Sequence, residues 1–193
     1  MSASLVMRDR ETDSWWSIMT SSAIGGTLEG RPLVELPVGE KTQWGDWVAR
    51  YPNTLLLSVE GEEHDPTNHY DEYFASEGTF RDLQIEDQRM VPKEPIFGGW
   101  LNEQPFAVAH SGFEGGHLID LEGGGTLLLF RPAGAEMFAS SRVYLLATQP
   151  PETEPLEALG AIDRGEVEAQ AVSGFDTFWY SWVSVNSGTR VLD

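Results

Sequence analysis

The sequence contains no cysteine among its 193 residues. This absence excludes disulfide bonds, thiol catalysis, Cys-x-x-Cys redox chemistry and zinc sites built on thiolates. A chain of this length buries enough apolar surface to fold without a covalent or metal cross-link. The composition therefore predicts a single domain over residues 1–193, and the redox compartment cannot be inferred from it.

Lysine is almost absent, since Lys41 and Lys93 are the only two, beside ten arginines and 31 acidic residues. The formal net charge of −19 repels nucleic acid and anionic membranes, so neither is an expected partner. The acidic residues are spread along the chain, which is typical of a solvated acidic surface. Such a composition suggests a halophilic source, because high salt screens the self-repulsion of the surface.

Long apolar runs are lacking as well. No stretch is long enough to span a bilayer, and residues 1–4 lead into a strand-like segment without the apolar region of a signal peptide. The expectation is a soluble chain without membrane insertion, whose location in the cell is not indicated.

Common enzyme signatures are missing too. The sequence has no Gly-x-Ser-x-Gly elbow and no Walker A loop, and the glycine run 123–125 lacks the strand-to-helix context of a dinucleotide site. His110 and Ser111 are adjacent and His117 is near, but a catalytic pair needs an orienting acid that sequence does not reveal. These residues are therefore predicted to be polar loop residues, and enzymatic activity stays an open question.

The strongest positive signal is an internal repeat. Residues 39–58 and 174–193 align without a gap, and they contain four of the seven tryptophans. The alignment pairs Gly39 with Gly174, Thr42 with Thr177, Trp44 with Trp179, Trp47 with Trp182, Val48 with Val183, Thr54 with Thr189 and Leu57 with Leu192. Two tryptophan pairs in register are hard to obtain by chance, so the pattern predicts a repeated structural unit.

Each copy is predicted to be a short amphipathic helix, a stop and a strand. In the first copy the apolar residues recur with helical spacing up to Tyr51, and Pro52 favours a helix end at that point. The following strands are predicted at 54–59 and 189–192. Because each indole ring buries about 150–250 Å², the tryptophans are predicted to form the structural core. These core residues are Trp44, Trp47, Trp179 and Trp182.

Short strands separated by glycine-containing turns dominate the rest of the chain. Strands are predicted at 5–9, 14–20, 31–38, 95–100, 106–109, 117–121, 126–130 and 143–147, and a short helix at 156–162. This rhythm predicts an α+β, mainly β fold, with antiparallel strands in a meander or small barrel and two Trp-bearing helices. The first part of the pseudo-repeat spans 1–58 and the second 93–193, joined by an acidic connecting loop at 59–92.

Several short motifs occur together in a specific order. They lie at residues 9–16 (DRETDSWW), 23–30, 44–47, 51–54, 92–94 and 178–182. With these motifs the chain resembles the bacterial and archaeal family called domain of unknown function 3179, in which glycine is usual at the position of Asp13. The resemblance covers most of the chain and implies a duplicated unit of uncharacterised function. It also implies an upstream half-unit with a Cys-Pro-Leu-Cys motif that is missing here, and it brings no established catalytic residues.

One loop has the composition of a metal site, with His64, Asp65, His69 and Asp71 close together. Imidazole and carboxylate suit zinc, manganese or iron, and an open coordination position would activate water. The two histidines are five residues apart, however, which is not the spacing of a helical His-Glu-x-x-His site, and Pro66 disfavours a helix. A solvated acidic loop is the alternative.

The preferred function is a non-catalytic ligand-binding or structural module that needs no cofactor. The alternative is a metal-dependent hydrolase that uses the loop at His64, Asp65, His69 and Asp71 with a divalent metal. The sequence does not indicate whether the ligand is a small molecule or a protein. Because a half-built β unit leaves an open sheet edge, pairing with a second copy into a homodimer is a further hypothesis.

Overall fold

The computed structural model describes residues 5–34, 39–57, 70–137, 139–147 and 154–193. The strands are β1 Val6–Arg8, β2 Trp15–Ser17, β3 Ser22–Gly25, β4 Pro95–Leu101, β5 Gln104–Ala109, β6 His117–Asp120, β7 Thr126–Phe130, β8 Arg142–Leu146, β9 Ala169–Ala171, β10 Gly174–Phe178 and β11 Arg190–Val191. The helices are α1 Trp44–Arg50, α2 Asp71–Ala75, α3 Pro155–Asp163 and α4 Trp179–Val183, with short 3₁₀ turns at Phe80–Asp82 and His110–Gly112.

The described strands form three sheets with the orders β1-β2-β3, β10-β4-β5-β11 and β6-β7-β8-β9. Neighbouring strands are antiparallel apart from β11, which runs parallel to β5. The predicted α+β, mainly β class is confirmed. Within the described ranges every sheet is open, and the first and third sheets are simple meanders.

The two four-stranded sheets face each other across the main core. Phe97 and Phe106 of one sheet belong to the same buried cluster as Leu127 and Leu129 of the other. Since successive side chains of a strand point to opposite faces, the intervening residues lie on the outer faces of both sheets. The result is a four-layer arrangement of helix, sheet, sheet and helix.

The outer layers are helices α3 and α4. Ala158 and Leu159 of α3 are buried in a cluster with Leu128 of β7. On the opposite side of the core, Trp179 and Trp182 of α4 are fully buried against the β10-β4-β5-β11 sheet. Trp182 fits there because β4 has glycine beneath it, as a Cβ at Gly98 would lie 2.5 Å from the indole ring.

Helix α1, the counterpart of α4, has no buried residue. It ends at Arg50 with Tyr51 as its C-cap, where Pro52 was expected to end it. Trp47 is half-buried and its ring centroid lies 4.5 Å from that of Tyr51, but Trp44 is 53% exposed. The prediction that Trp44 is a core residue is therefore wrong, because α1 does not cover a sheet as α4 does.

Two strand predictions differ from the structure, and strand β10 was not predicted. The third N-terminal strand is β3, Ser22–Gly25, while the described part of 31–38 contributes only an isolated bridge at Pro32. Residues 54–57 are not in a strand, and Leu55 and Leu57 are 93% and 94% exposed. The segment 174–178, aligned with residues before α1, is strand β10 because it pairs with β4 along its whole length.

Candidate functional site

Four polar side chains from distant parts of the chain meet at the edge of the main core. Asp176 comes from β10, where it is the register partner of Phe97 and so shares the core-facing side of that sheet. Arg131 follows β7, His110 begins the 3₁₀ turn after β5, and Ser141 precedes β8. Sheet pairing thus brings together residues that are 10 to 66 positions apart.

The Asp176 carboxylate is the centre of this group. His110 Nε2 lies 2.9 Å and Arg131 Nη1 3.4 Å from Asp176 Oδ1, which also accepts a hydrogen bond from the Ser141 hydroxyl. The Ser141 amide donates to Oδ2 at 2.8 Å. Arg131 Nη2 donates to the Glu136 carbonyl at 2.9 Å, which fixes the guanidinium plane.

The group is nearly removed from solvent. Arg131 is 1% exposed, and the side chains of His110 and Asp176 are each 8% exposed. A buried ion pair gives little net stability, because the desolvation of both charges offsets their attraction. Arg131 Nε is also buried without a hydrogen-bond partner among the described residues. A buried polar atom without a partner calls for an explanation, and a functional role is one such explanation.

The geometry does not match that of a nucleophilic triad. In a triad the serine hydroxyl donates to a histidine that an acid orients, whereas the Ser141 hydroxyl donates directly to the Asp176 carboxylate. The His110 Nε2 atom is already in contact with Asp176 and, at 3.1 Å, with Arg131 Nη1. The arrangement is suited to holding fixed charge and hydrogen-bond donors in place.

Asp176 and Ser141 lie on the wall of a cleft of about 1310 Å³ between the N-terminal region and the two large sheets. A second cleft of about 900 Å³ shares five lining residues with it: Glu40, Lys41, Arg50, Ser140 and Arg142. The segment before α1 borders both clefts and is held by paired bonds, from Lys41 N to Ser140 Oγ at 2.8 Å and from Ser140 N to Lys41 O at 2.9 Å.

Two ion pairs line the larger cleft. Arg50 donates to Glu40 at 2.6 Å, and this hydrogen bond raises the pKa of Arg50. Arg142 donates to Asp163, which lowers the pKa of that carboxyl, and it also donates to the Tyr144 hydroxyl at 3.0 Å. The cleft therefore presents both signs of charge at neutral pH.

The metal-like loop lies mostly outside the described residues, which do not include His64, Asp65 and His69. Asp71 is exposed in the first turn of α2. Among the residues that the structure describes, no group of three or more His, Cys, Asp or Glu side chains is placed to hold a metal ion. The loop stays a prediction.

Sequence reasoning noted His110 but expected a polar loop residue, whereas it is buried beside Asp176. Ser111 is exposed, and the serine of the group is Ser141. Arg131 had a readable signal, since it directly follows the apolar run of β7.

A family model described as "Protein of unknown function (DUF3179)" matches residues 1–189. The chain belongs to the DUF3179 family. Searches of curated proteins and of solved structures found no match. Membership thus confirms the resemblance and assigns no activity, and no helix in the described part of this DUF3179 chain is long and apolar enough to cross a membrane.

The DRETDSWW motif of this DUF3179 chain forms the turn between β1 and β2. The Asp9 carboxylate accepts hydrogen bonds from the Trp16 indole at 2.7 Å and the Thr12 amide at 2.6 Å, and these bonds lower the pKa of Asp9. Asp13 has φ +58°, a left-handed conformation that glycine adopts most easily. This conformation explains why glycine is usual at the position of Asp13 in the family.

A second DUF3179 motif, residues 92–94, joins α2 to α4. Lys93 Nζ donates to the carbonyls of Tyr73 and Ser76 at the end of α2, and it lies 4.0 Å from the centroid of the Tyr73 ring. Burial and a hydrogen bond with Tyr180 raise the pKa of Tyr73. One of the only two lysines is therefore used to attach a helix.

Proposed function

We propose that this protein is a non-catalytic module that binds a small polar ligand in the cleft bordered by Asp176 and Ser141. The observation that supports this most is the buried group of Asp176, Arg131 and His110 behind the cleft wall. Because the amide and the hydroxyl of Ser141 both donate to Asp176, the group fixes Ser141 on the cleft wall before any ligand arrives. Preorganised polar groups of this kind reduce the entropic cost of binding.

The lining of the cleft favours a ligand without net charge. Four of its charged side chains form the ion pairs Arg50–Glu40 and Arg142–Asp163, so a strongly charged ligand would meet a like charge next to each opposite one there. The lining also includes aromatic and hydroxyl side chains: Tyr51, Tyr144, Phe175, Ser140, Thr177 and Ser181. Polyhydroxy compounds and zwitterions combine the groups that such a surface binds.

The absence of an activated nucleophile in this geometry supports binding in preference to catalysis. The Ser141 hydroxyl donates to a carboxylate that Arg131 and His110 also contact, and among the described residues no histidine lies between that serine and that acid as in a triad.

A binding screen tests the proposal. Melting curves are recorded with monosaccharides, disaccharides and amino acids, and each compound that raises the melting temperature is then titrated by calorimetry. Arg142→Gln is expected to weaken binding about tenfold or more, because a hydrogen bond to a charged group contributes roughly 1.5–3 kcal/mol.

Arg164→Gln is the matched control, since Arg164 pairs with Glu166 and does not line either cleft. Equal loss of binding in both variants, or no compound that raises the melting temperature, would contradict the proposal.

The metal-dependent hydrolase stays the alternative hypothesis. Elemental mass spectrometry on protein purified without chelator tests it directly. A stoichiometric divalent metal that is lost in the His64→Ala/His69→Ala double variant would favour the hydrolase over the binding module.

A further inference from the structure

The two copies of the repeat make the same internal hydrogen bond. In the first, Trp47 Nε1 donates to Thr54 Oγ1 at 2.9 Å, and in the second, Trp182 Nε1 donates to Thr189 Oγ1 at 2.8 Å. The bond joins the helix to the segment that returns after it, so both copies fold back in the same way. The second copy can therefore be used as a template for the environment that the first copy fits.

In the second copy, the returning segment completes a sheet. β11 pairs in parallel with β5, and the Leu192 amide donates to the Ala107 carbonyl at 2.9 Å. Leu192 packs against the main core cluster. The Trp182 indole packs on Gly98 of β4, the strand that pairs with β5.

An arginine holds the second copy from the side. The Arg89 guanidinium lies 5.3 Å from the centroid of the Trp179 ring, and its Nη1 donates to the Thr189 carbonyl at 2.9 Å. The second copy thus needs three things from its surroundings: an edge strand, a glycine under the second tryptophan and an arginine beside the first.

The first copy makes none of these contacts among the described residues. Trp44 is 53% exposed where Trp179 is fully buried, and Leu57 is 94% exposed where Leu192 packs against the core. Residues 54–57 return to the helix through the same Trp–Thr bond as the segment that leads into β11, and none of the described strands pairs with them.

The charges of this surface indicate what fits it. Residues 51–57 carry no charge although the protein has a net charge of −19, and β4 and β5, which hold the second copy, are uncharged as well. In the second copy a charged side chain does contact the repeat, since Arg89 lies beside Trp179. A cation beside the exposed Trp44 ring would gain from both the ring and the acidic surroundings.

We infer that residues 44–57 form a docking surface for a β-hairpin of another polypeptide whose two strands are uncharged, with a glycine under Trp47 and a flanking arginine over Trp44. The edge strand of that hairpin pairs in parallel with residues 54–57, which is binding by strand addition. This protein's own segment 87–109 has the required chemistry, and its place on the second copy defines the geometry.

A peptide with the sequence of residues 87–109, labelled with a fluorophore, is the probe. It is titrated into the full chain and followed by fluorescence anisotropy. Saturable binding is expected, and Leu57→Arg should weaken it about tenfold or more because the counterpart Leu192 is an apolar contact. Leu55→Arg is the matched control, since its counterpart Arg190 is an exposed arginine, and it should leave binding unchanged.

A peptide with Gly98→Val should also bind at least about tenfold more weakly, because a side chain there collides with the indole ring. The lack of cysteine allows a second readout, in which Leu57→Cys carries an environment-sensitive dye that should shift to the blue when the hairpin covers it.

Three results would overturn the inference: no binding in either readout, equal weakening by the two arginine variants, or a dimer in light scattering that Leu57→Arg dissociates. The last would identify a second copy of the chain as the occupant.

Discussion

Asp9 organises the first β-turn through a carboxylate that accepts bonds from both a backbone amide and an indole. Four positions later, Asp13 takes the left-handed conformation and pairs with Arg8. These local contacts explain why the motif residues occur together. They also make the turn dependent on the ionised form of one carboxyl.

The pKa of Asp9 is lowered by its hydrogen bond from Trp16, so the folded state binds that proton less tightly than the unfolded chain does. The stabilisation is present above the ordinary aspartate pKa and is lost as pH falls through the lowered folded value. We predict that Asp9→Asn has a smaller loss of melting temperature between pH 5 and pH 2 than the wild type. Parallel slopes in the two melting series would contradict this.

Helices α1 and α4 show how the same sequence pattern leads to different burial. Both carry two tryptophans three residues apart, yet the rings of α4 are fully buried and Trp44 is half-exposed. The difference lies in the strand beneath, where Gly98 leaves room for the Trp182 ring. A helix pattern thus specifies which face is apolar, and a neighbouring sheet decides whether that face is covered.

We predict that Gly98→Ala destabilises the protein by about 1–3 kcal/mol, because the new Cβ overlaps the Trp182 ring. Gly45→Ala is the control in the first copy, where a Cβ meets open space. It should raise helix stability by about 0.5–1 kcal/mol. Chemical denaturation of the two variants measures both effects, and equal free energies of unfolding would contradict the assigned packing.

The whole molecule combines a net charge of −19 with a core of two facing sheets. Burial of the core stabilises the folded state, and repulsion among the surface charges destabilises it. The internal repeat and the division at 1–58, 59–92 and 93–193 stay predictions. The Trp–Thr hydrogen bond that both copies contain supports the repeat. The halophilic hypothesis rests on the net charge of the protein.

We predict that the melting temperature rises between 0.1 M and 1 M KCl, because the screening length falls from about 10 Å to about 3 Å. Each kcal/mol of repulsion that is removed should add about 2–4 °C for a chain of this size. Calorimetry over a KCl series measures the effect. A constant melting temperature would contradict the halophilic hypothesis.

The sequence by itself determined the fold class, the end of α1 next to Tyr51 and the positions of most strands in the second half, because these depend on local periodicity and turn residues. Only the tertiary structure decided that Asp176 meets Arg131 and His110, since strand pairing joins residues that are distant in the chain. It also decided that Trp179 is buried while Trp44 is not. Burial depends on the surface that another part of the chain supplies, and no local pattern encodes that.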